Sequence, residues 1–198
     1  MVIVGKSGCG KTTLLNAIAG FVEHRGKIKK PKKIGMVFQN YAVFPWLSVK
    51  QNIAFGLCEN KINHYIEMIG LSCKKDKYPF ELSGGEVQRI ALARTLAANP
   101  KLILMDEPYG SLDAYNRDKM QQWLLKIWSE ERKTVLFVTH SIEEAIYLGD
   151  RVLLMKNKKI IKEFKVGFQR PRGAEIKFGT EFVELKKEIT EAINNDLC

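Results

Sequence analysis

The chain has 198 residues, 45% of them hydrophobic and 27% charged, the balance of a globular protein with one sizeable core rather than of a disordered or fibrous chain. No apolar run approaches the roughly 20 residues that span a bilayer, and Met1–Val4 is too short for a signal-peptide core, so a cytoplasmic protein is expected, with any membrane role exercised through a partner. The formal net charge of +10 admits nucleic acid or an anionic membrane surface, but the lysines are spread over the whole chain, and their densest stretch, Arg25–Lys33, is broken by Pro31 and reads as solvated loop.

In chain order, Met1–Val4 reads as a buried strand. Gly5-Lys-Ser-Gly-Cys-Gly-Lys-Thr12 follows and fits the phosphate-loop pattern, and Thr13–Ala19 continues as an apolar-periodic helix closed by Gly20. Strand, glycine-rich loop and helix in that order are built to hold phosphate. Gly5, Gly8 and Gly10 let the backbone curl so that N–H groups point inward, and the helix adds the positive end of its dipole. Lys11 supplies a point charge for the β- and γ-phosphates, and the Thr12 hydroxyl is placed to ligate Mg²⁺. The candidate nucleotide-binding residues here are Gly5, Lys6, Ser7, Gly8, Cys9, Gly10, Lys11, Thr12 and Thr13. Cys9, Cys58, Cys73 and Cys198 show no metal-ligand spacing and read as reduced thiols, with Cys9 a point of sensitivity to alkylation.

Phe21–Lys33 reads as a turn between short strands, and Ile34–Phe38 as a strand delivering Gln39 at its carboxyl end. Ser48 is a plausible N-cap, and Ile53, Leu57, Ile62, Ile66 and Ile69 have helical spacing, so 43–82 is read as a helical insertion between strands. Ser83 and Glu86 form a capping box for a helix stopped by Asn99-Pro100. Gly84 and Gly85 in its first turn cost roughly 1 kcal/mol each in helix propensity, which points to a backbone kept bare for an anion. Leu102–Met105 is a buried strand ending in Asp106-Glu107-Pro108, and a helix capped by Asp113 runs to about Arg132. Val135–Val138 is a further strand, ending in Thr139-His140; Ser141 and Glu144 read as a second capping box. Arg151–Met155 and Ile160–Val166 form a hairpin, and Phe182–Ile193 an amphipathic helix.

Ligands bind beyond the carboxyl ends of the strands in open parallel sheets, which places Lys11, Thr12, Gln39, Asp106, Glu107 and His140 along one edge. Phosphoryl-transfer chemistry then gives their roles. Asp106 holds Mg²⁺, Glu107 is the general base toward the attacking water, and His140 reaches the γ-phosphate. Gln39 reaches Mg²⁺ or the water when its loop closes.

Gln39, Leu82-Ser-Gly-Gly-Glu86, Leu102-Ile-Leu-Met-Asp-Glu107, Ser111-Leu-Asp113 and His140, behind a phosphate loop, resemble the ATPase subunit of an ABC transporter, over about Met1–Met155. The resemblance implies an α/β fold, a P-loop NTPase core on a mainly parallel sheet with a helical subdomain inserted between strands. The core comprises 1–42 and 99–166, the helical subdomain 43–98, and a short tail 167–198 without a regulatory domain. It implies ATP and Mg²⁺, and a head-to-tail dimer in which Ser83, Gly84 and Gly85 of one subunit meet the γ-phosphate bound by the other, with Asp113 at the seam. It also implies a transmembrane permease docked near Gln39 and the helical insertion, reached by a solute-binding protein only indirectly, and no nucleic acid. Val43-Phe-Pro-Trp-Leu47 and Thr139-His-Ser-Ile-Glu-Glu-Ala-Ile-Tyr147 resemble the nitrate, sulfonate and taurine importer ATPases, peripheral on the inner face of the membrane.

Members of the family carry two further strands before the phosphate-loop strand, with an aromatic residue that stacks on adenine. Here Met1 opens directly into that strand, so a truncated chain, a substitute residue or weaker ATP binding is expected, stacking being worth about 1–3 kcal/mol. Two other readings compete: an ABC-type ATPase acting on nucleic acid or the ribosome, and a truncated inactive cassette. Copurification with a membrane protein or with RNA separates the first of these from the importer, and turnover tests the second.

Overall fold

Buried β-branched runs, phased by capped helices, dictate most of the observed architecture. A computed structural model describes residues 1–55, 61–110 and 112–194; Leu57, Cys58, Ser111 and Cys198 of the sequence reading lie outside them. Contacts divide the chain into two units, 1–30 with 121–198, and 31–120.

The first unit holds β1 (Val2–Val4), α1 (Lys11–Ala19), β4 (Thr134–Thr139), α6 (Ile142–Leu148), β5 (Arg151–Lys156), β6 (Lys159–Lys165) and α7 (Thr180–Asn194). β1 lies between β4 and β5, parallel to both, with Val4 level with Thr139 and with Leu154. β6 returns antiparallel on β5 through a turn whose Asn157 and Lys158 have φ of 46° and 63°, the left-handed pair of a tight hairpin. All three β1 residues are buried, as are Leu15, Phe137, Val138, Tyr147, Leu154, Phe182 and Ile189. A one-turn 3₁₀ segment, Ala174–Phe178, precedes α7 and had no signal in the sequence.

A clasp fixes the C-terminal end of α6. Arg172 is 6% exposed and donates to the carbonyls of Tyr147 at 2.9 Å and Gly149 at 2.8 Å, a cation at the negative end of the helix dipole. Burial, with the charge of Arg170 behind it, lowers its pKa to about 10. Asp150 accepts from Arg170 Nε at 2.9 Å and from Arg172 at 3.3 Å. Its desolvation favours the neutral acid, but the arginines outweigh that and hold its pKa below the usual value. A depressed carboxylate stabilises above its unfolded pKa and loses that contribution as pH falls through the folded one. Asp150→Asn is therefore expected to cost roughly 0.5–1 kcal/mol at neutral pH, discounted for a half-exposed pair. The gap should narrow as pH falls below the ordinary aspartate value of about 3.9; denaturant melts at neutral pH and in acid check it, and a gap of the same size at both would refute the ion pair.

The second unit holds β2 (Ile34–Val37), α2 (Val49–Ala54), α3 (Ile62–Met68), α4 (Gly84–Ala97), β3 (Leu102–Asp106) and the first turns of α5 (Ala114–Glu131). β2 pairs parallel with β3, Val37 level with Met105. Val49, Ile53, Ile66, Ile90, Ala93, Leu96 and Leu104 form its core. Gly35 is where α4 presses on β2: a Cβ there would lie 2.4 Å from Thr95 Cγ2 and 3.1 Å from Pro100. Ser48 and Gln51 complete a capping box on α2, and Ser83 and Glu86 one on α4.

Two local expectations are corrected. Phe21–Lys33 contains no strand: Gly26 is left-handed at φ 93°, Pro31 has no N–H to offer a ladder, and the lysines are mostly solvated. Ser141 and Glu144 make only half a capping box. The Ser141 hydroxyl accepts from the Glu144 amide at 3.3 Å, but the Glu144 carboxylate takes a proton donor from Thr139 Oγ1 at 2.6 Å instead of the Ser141 amide. The Ser141 amide donates to Thr139 Oγ1 at 3.0 Å.

Candidate functional site: two pairs of adjoining strand ends

Each unit brings chemistry to a pair of level strand ends. In the first, β1 leads into the phosphate loop and β4, one strand over, leads into Thr139-His140. Gly8 and Gly10 are left-handed, at φ 79° and 104°, and Gly10 caps α1, whose first turn holds no acidic residue to oppose an anion. Gly5 is needed for another reason: a Cβ there would lie 2.2 Å from the Met155 carbonyl of β5 and 2.8 Å from Cys9 Sγ. The hairpin tip also holds the loop, since the Lys158 amide donates to the Cys9 carbonyl at 3.0 Å. Cys9 is 9% exposed, its sulfur turned under the loop, so alkylation there requires the loop to open.

Lys11 is 4% exposed and folds back on its own loop, donating to the carbonyls of Gly5 at 2.8 Å and Lys6 at 3.1 Å. These bonds keep the buried ammonium solvated by backbone, and they are the ones a phosphate oxygen would replace. Lys6, Ser7, Gly8 and Cys9 face the β5–β6 turn across a cleft of about 500 Å³. His140 is exposed at the mouth of β4, and the buried Thr139–Glu144 bond fixes the turn that carries it.

In the second unit, Gln39 follows β2 and Asp106-Glu107 ends β3, so the register brings them side by side. Asp106 is 5% exposed. Glu107 has φ 41°, a left-handed conformation that a non-glycine residue adopts at a cost of order 1–3 kcal/mol, and such residues cluster at functional sites. Its carbonyl accepts from the Gly110 amide at 3.1 Å, closing the turn. A Cβ on Gly110 would lie 3.6 Å from Gln39 Nε2, which puts the Gln39 amide against that turn.

The 82–86 segment and Asp113 lie together in the same unit. Ser83 caps α4, its hydroxyl accepting from the Glu86 amide at 3.4 Å, and Lys74 pairs with Glu86 at 2.8 Å. A Cβ at Gly84 would meet Leu112 Cδ2 at 3.8 Å, and one at Gly85 Met120 Sδ at 3.9 Å, both ordinary contacts. The chain's own packing therefore does not call for glycine at either position. Asp113 caps α5, accepting from the Asn116 amide at 3.0 Å and its side-chain amide at 2.6 Å; these bonds hold its pKa below the usual value.

Sequence reasoning missed the residues that hold the loop after Gln39. Tyr41 and Ala42 are both left-handed, at φ 61° and 46°. Arg94 of α4 donates to their carbonyls, and Asn52 of α2, fully buried, ties down the next stretch. Asn52 Oδ1 accepts from the Phe44 amide at 2.9 Å, and its Nδ2 donates to the carbonyls of Phe44, Leu47 and Ser48 at 3.0, 2.8 and 3.1 Å. A polar residue flanked by apolar Ile53 and Val49 was the available signal. Beyond it the surface is aromatic: Trp46 is 70% exposed and Phe55 59%, with Phe44 between them at 5.6 and 4.5 Å.

A glycine-rich anion loop opening a helix at one strand end, and a buried aspartate followed by a strained glutamate at another, define a nucleotide-hydrolysing P-loop protein. The family model for ABC transporters matches residues 1–110. The taurine import ATP-binding protein of Jannaschia sp. is 42% identical over 96% of this chain and 80% of that protein. The aliphatic sulfonates import ATP-binding protein of Bacillus cereus is 40% identical over 96% of this chain and 82% of that one. Among solved structures, the ATP-binding cassette MJ0796, a dimer in a post-hydrolysis state bound to ADP and Pi, superposes with a TM-score of 0.69 at 32% identity, covering 84% of this chain and 85% of that one. The chain belongs to the ABC transporter family and is one of its ATP-binding, ATP-hydrolysing cassettes. No helix among the described residues is long and apolar enough to cross a membrane.

Proposed function

We propose that this chain is the ATPase subunit of a membrane importer whose solute is an organic sulfonate, within the nitrate, sulfonate and taurine group. Glu107 carries the hydrolytic half of this reading. A carboxylate held at φ 41° next to a buried aspartate is retained against folding stability, and its place one residue beyond Asp106 suits a base aimed at water. Similarity along almost the whole chain to taurine and sulfonate import proteins supports the import half.

In this reading the loop from Gly5 to Thr13 cradles the phosphates, and Lys11 exchanges its two carbonyls for β- and γ-oxygens. Glu107 takes the proton of the attacking water, and His140 hydrogen-bonds the γ-phosphate and keeps that water in line. Thr12, Asp106 and Gln39 would hold Mg²⁺: hydroxyl, carboxylate and amide oxygens are the hard donors that ion takes. When bound, Mg²⁺ neutralises charge on the β- and γ-phosphates. Ser83, Gly84 and Gly85 meet the γ-phosphate held by a second copy, which supplies the external reason for bare glycines, and Asp113 lies at the seam. The exposed aromatic surface of Trp46 and Phe55 receives a permease segment, so the subunit sits peripherally on the inner face of the cell membrane.

Lys11→Ala separates solute classes in the cell that encodes the protein. Uptake of labelled taurine and alkanesulfonates is expected to fall to background while sulfate uptake is unchanged. Persisting sulfonate uptake would remove sulfonates as the solute class.

A further inference from the structure

Arg94 is an odd residue to find where it is. It lies near the end of α4, half-buried, and no carboxylate pairs with it among the described residues. Its bonds go to backbone instead: NH2 donates to the Ala42 carbonyl at 2.7 Å and to the Tyr41 carbonyl at 3.5 Å, and the guanidinium lies 5.0 Å from the Phe44 ring centroid. NH1 is buried with no partner. A half-buried cation without a counter-ion is costly to keep, and an apolar side chain would serve the core of this unit better.

What Arg94 grips explains its retention. Tyr41 and Ala42 are the two left-handed residues just after Gln39. On the other side of Gln39, the next residue of α4, Thr95, reaches β2: its hydroxyl lies 3.4 Å from the Met36 carbonyl, and its methyl fills the place a Cβ on Gly35 would need. Two successive residues of one helix thus hold the chain on both flanks of Gln39. The same helix begins at Ser83-Gly84-Gly85, and the stretch beyond Ala42 runs into the aromatic surface of Phe44 and Trp46.

We propose that Arg94 is a positioning residue that makes α4 a rigid lever between the Ser83–Gly85 segment and Gln39, so that a partner nucleotide engaging the start of the helix sets the placement of the Gln39 amide. This rests on the role given to Gln39 above. Arginine suits the place because one NH2 reaches two successive carbonyls while the planar guanidinium lies over a ring; lysine keeps the charge, but its single compact ammonium on a shorter side chain cannot hold both carbonyls and the ring in that geometry.

The test is a double-mutant cycle on Mg-ATP hydrolysis by the purified chain, with Gln39→Ala, Arg94→Lys and the pair. Arg94→Lys is expected to lower kcat about ten- to a hundredfold, the scale of a sub-ångström to ångström misplacement, with the KM for ATP within about twofold and Tm within about 2 °C. The double variant should be no slower than Gln39→Ala alone. Multiplying effects would show that Arg94 acts independently of Gln39, and a parental kcat for Arg94→Lys would show that it does not act on turnover; either overturns the lever. A fall in Tm with an unchanged kcat per folded molecule would mark a merely structural residue and overturns it too. Should Arg94→Lys fold poorly, Arg94→Gln, neutral and still able to donate once, takes its place with the same expectation. Parental kcat in Gln39→Ala would instead remove Gln39 from the site and the lever with it, which distinguishes that failure from one in which Gln39→Ala is slow and Arg94→Lys is not.

Discussion

Glu107→Gln is expected to lower ATP turnover by about 10²–10⁴-fold, the range for loss of a general base, while nucleotide affinity stays within a few-fold. Glutamine preserves the length of the side chain and one carbonyl oxygen, so it can still orient a water through a hydrogen bond, but it cannot accept the proton. The backbone at φ 41° is equally strained for either residue, so Tm should not move. Turnover and equilibrium binding of ATP, measured on the same preparation, check the split. A parental rate would take Glu107 out of the reaction and leave the proton to another group.

The second large effect concerns assembly. In the Glu107→Gln protein, Mg-ATP is no longer consumed quickly, and light scattering should show the 22.6 kDa chain doubling in mass when Mg-ATP is added. Ser83→Arg in that background should hold it at the monomer mass. Ser83 is exposed at the head of α4, where its hydroxyl caps the helix and two glycines leave the backbone open. An arginine there loses the cap, worth about 1 kcal/mol. It also places a cation and a long side chain where the helix dipole favours a phosphate. The two losses act on different quantities, helix stability and association, so Tm read beside the mass separates them. A dimer that forms regardless of Ser83→Arg would mean the segment does not face the partner's nucleotide.

Much of this was legible because the signals are local. Ser48 and Ser83 announced their helices through side-chain oxygens that need only a backbone N–H three residues on, and Val2–Val4, Leu102–Met105 and Val135–Val138 were strands by their continuous apolar runs. Strand ends then located Lys11, Gln39, Asp106, Glu107 and His140 without any knowledge of packing. Competition was what local reading could not see. At Ser141 the capping carboxylate had a better partner in Thr139, and between Phe21 and Lys33 the left-handed Gly26 and Pro31 break the extended run that a ladder needs. Gly5 was assigned to the curl of the loop, whereas the carbonyl of Met155, distant in sequence, is what forbids a side chain there. Arg94 and Asn52 were invisible as loop-holding groups because their partners are backbone atoms, 52 and 53 residues away for Arg94 and within one loop for Asn52, and backbone atoms leave no mark in a sequence.

The left-handed backbone at Glu107 has an evolutionary corollary. Glycine adopts that conformation without a steric penalty, so at this position the residue that folds best is one that lacks the carboxylate proposed as the base. A copy of this cassette released from the need to hydrolyse ATP would gain stability by losing its carboxylate. Drift toward glycine or asparagine at 107, with the phosphate loop intact, would therefore be the genetic signature of a descendant that binds nucleotide as a clamp and no longer turns it over.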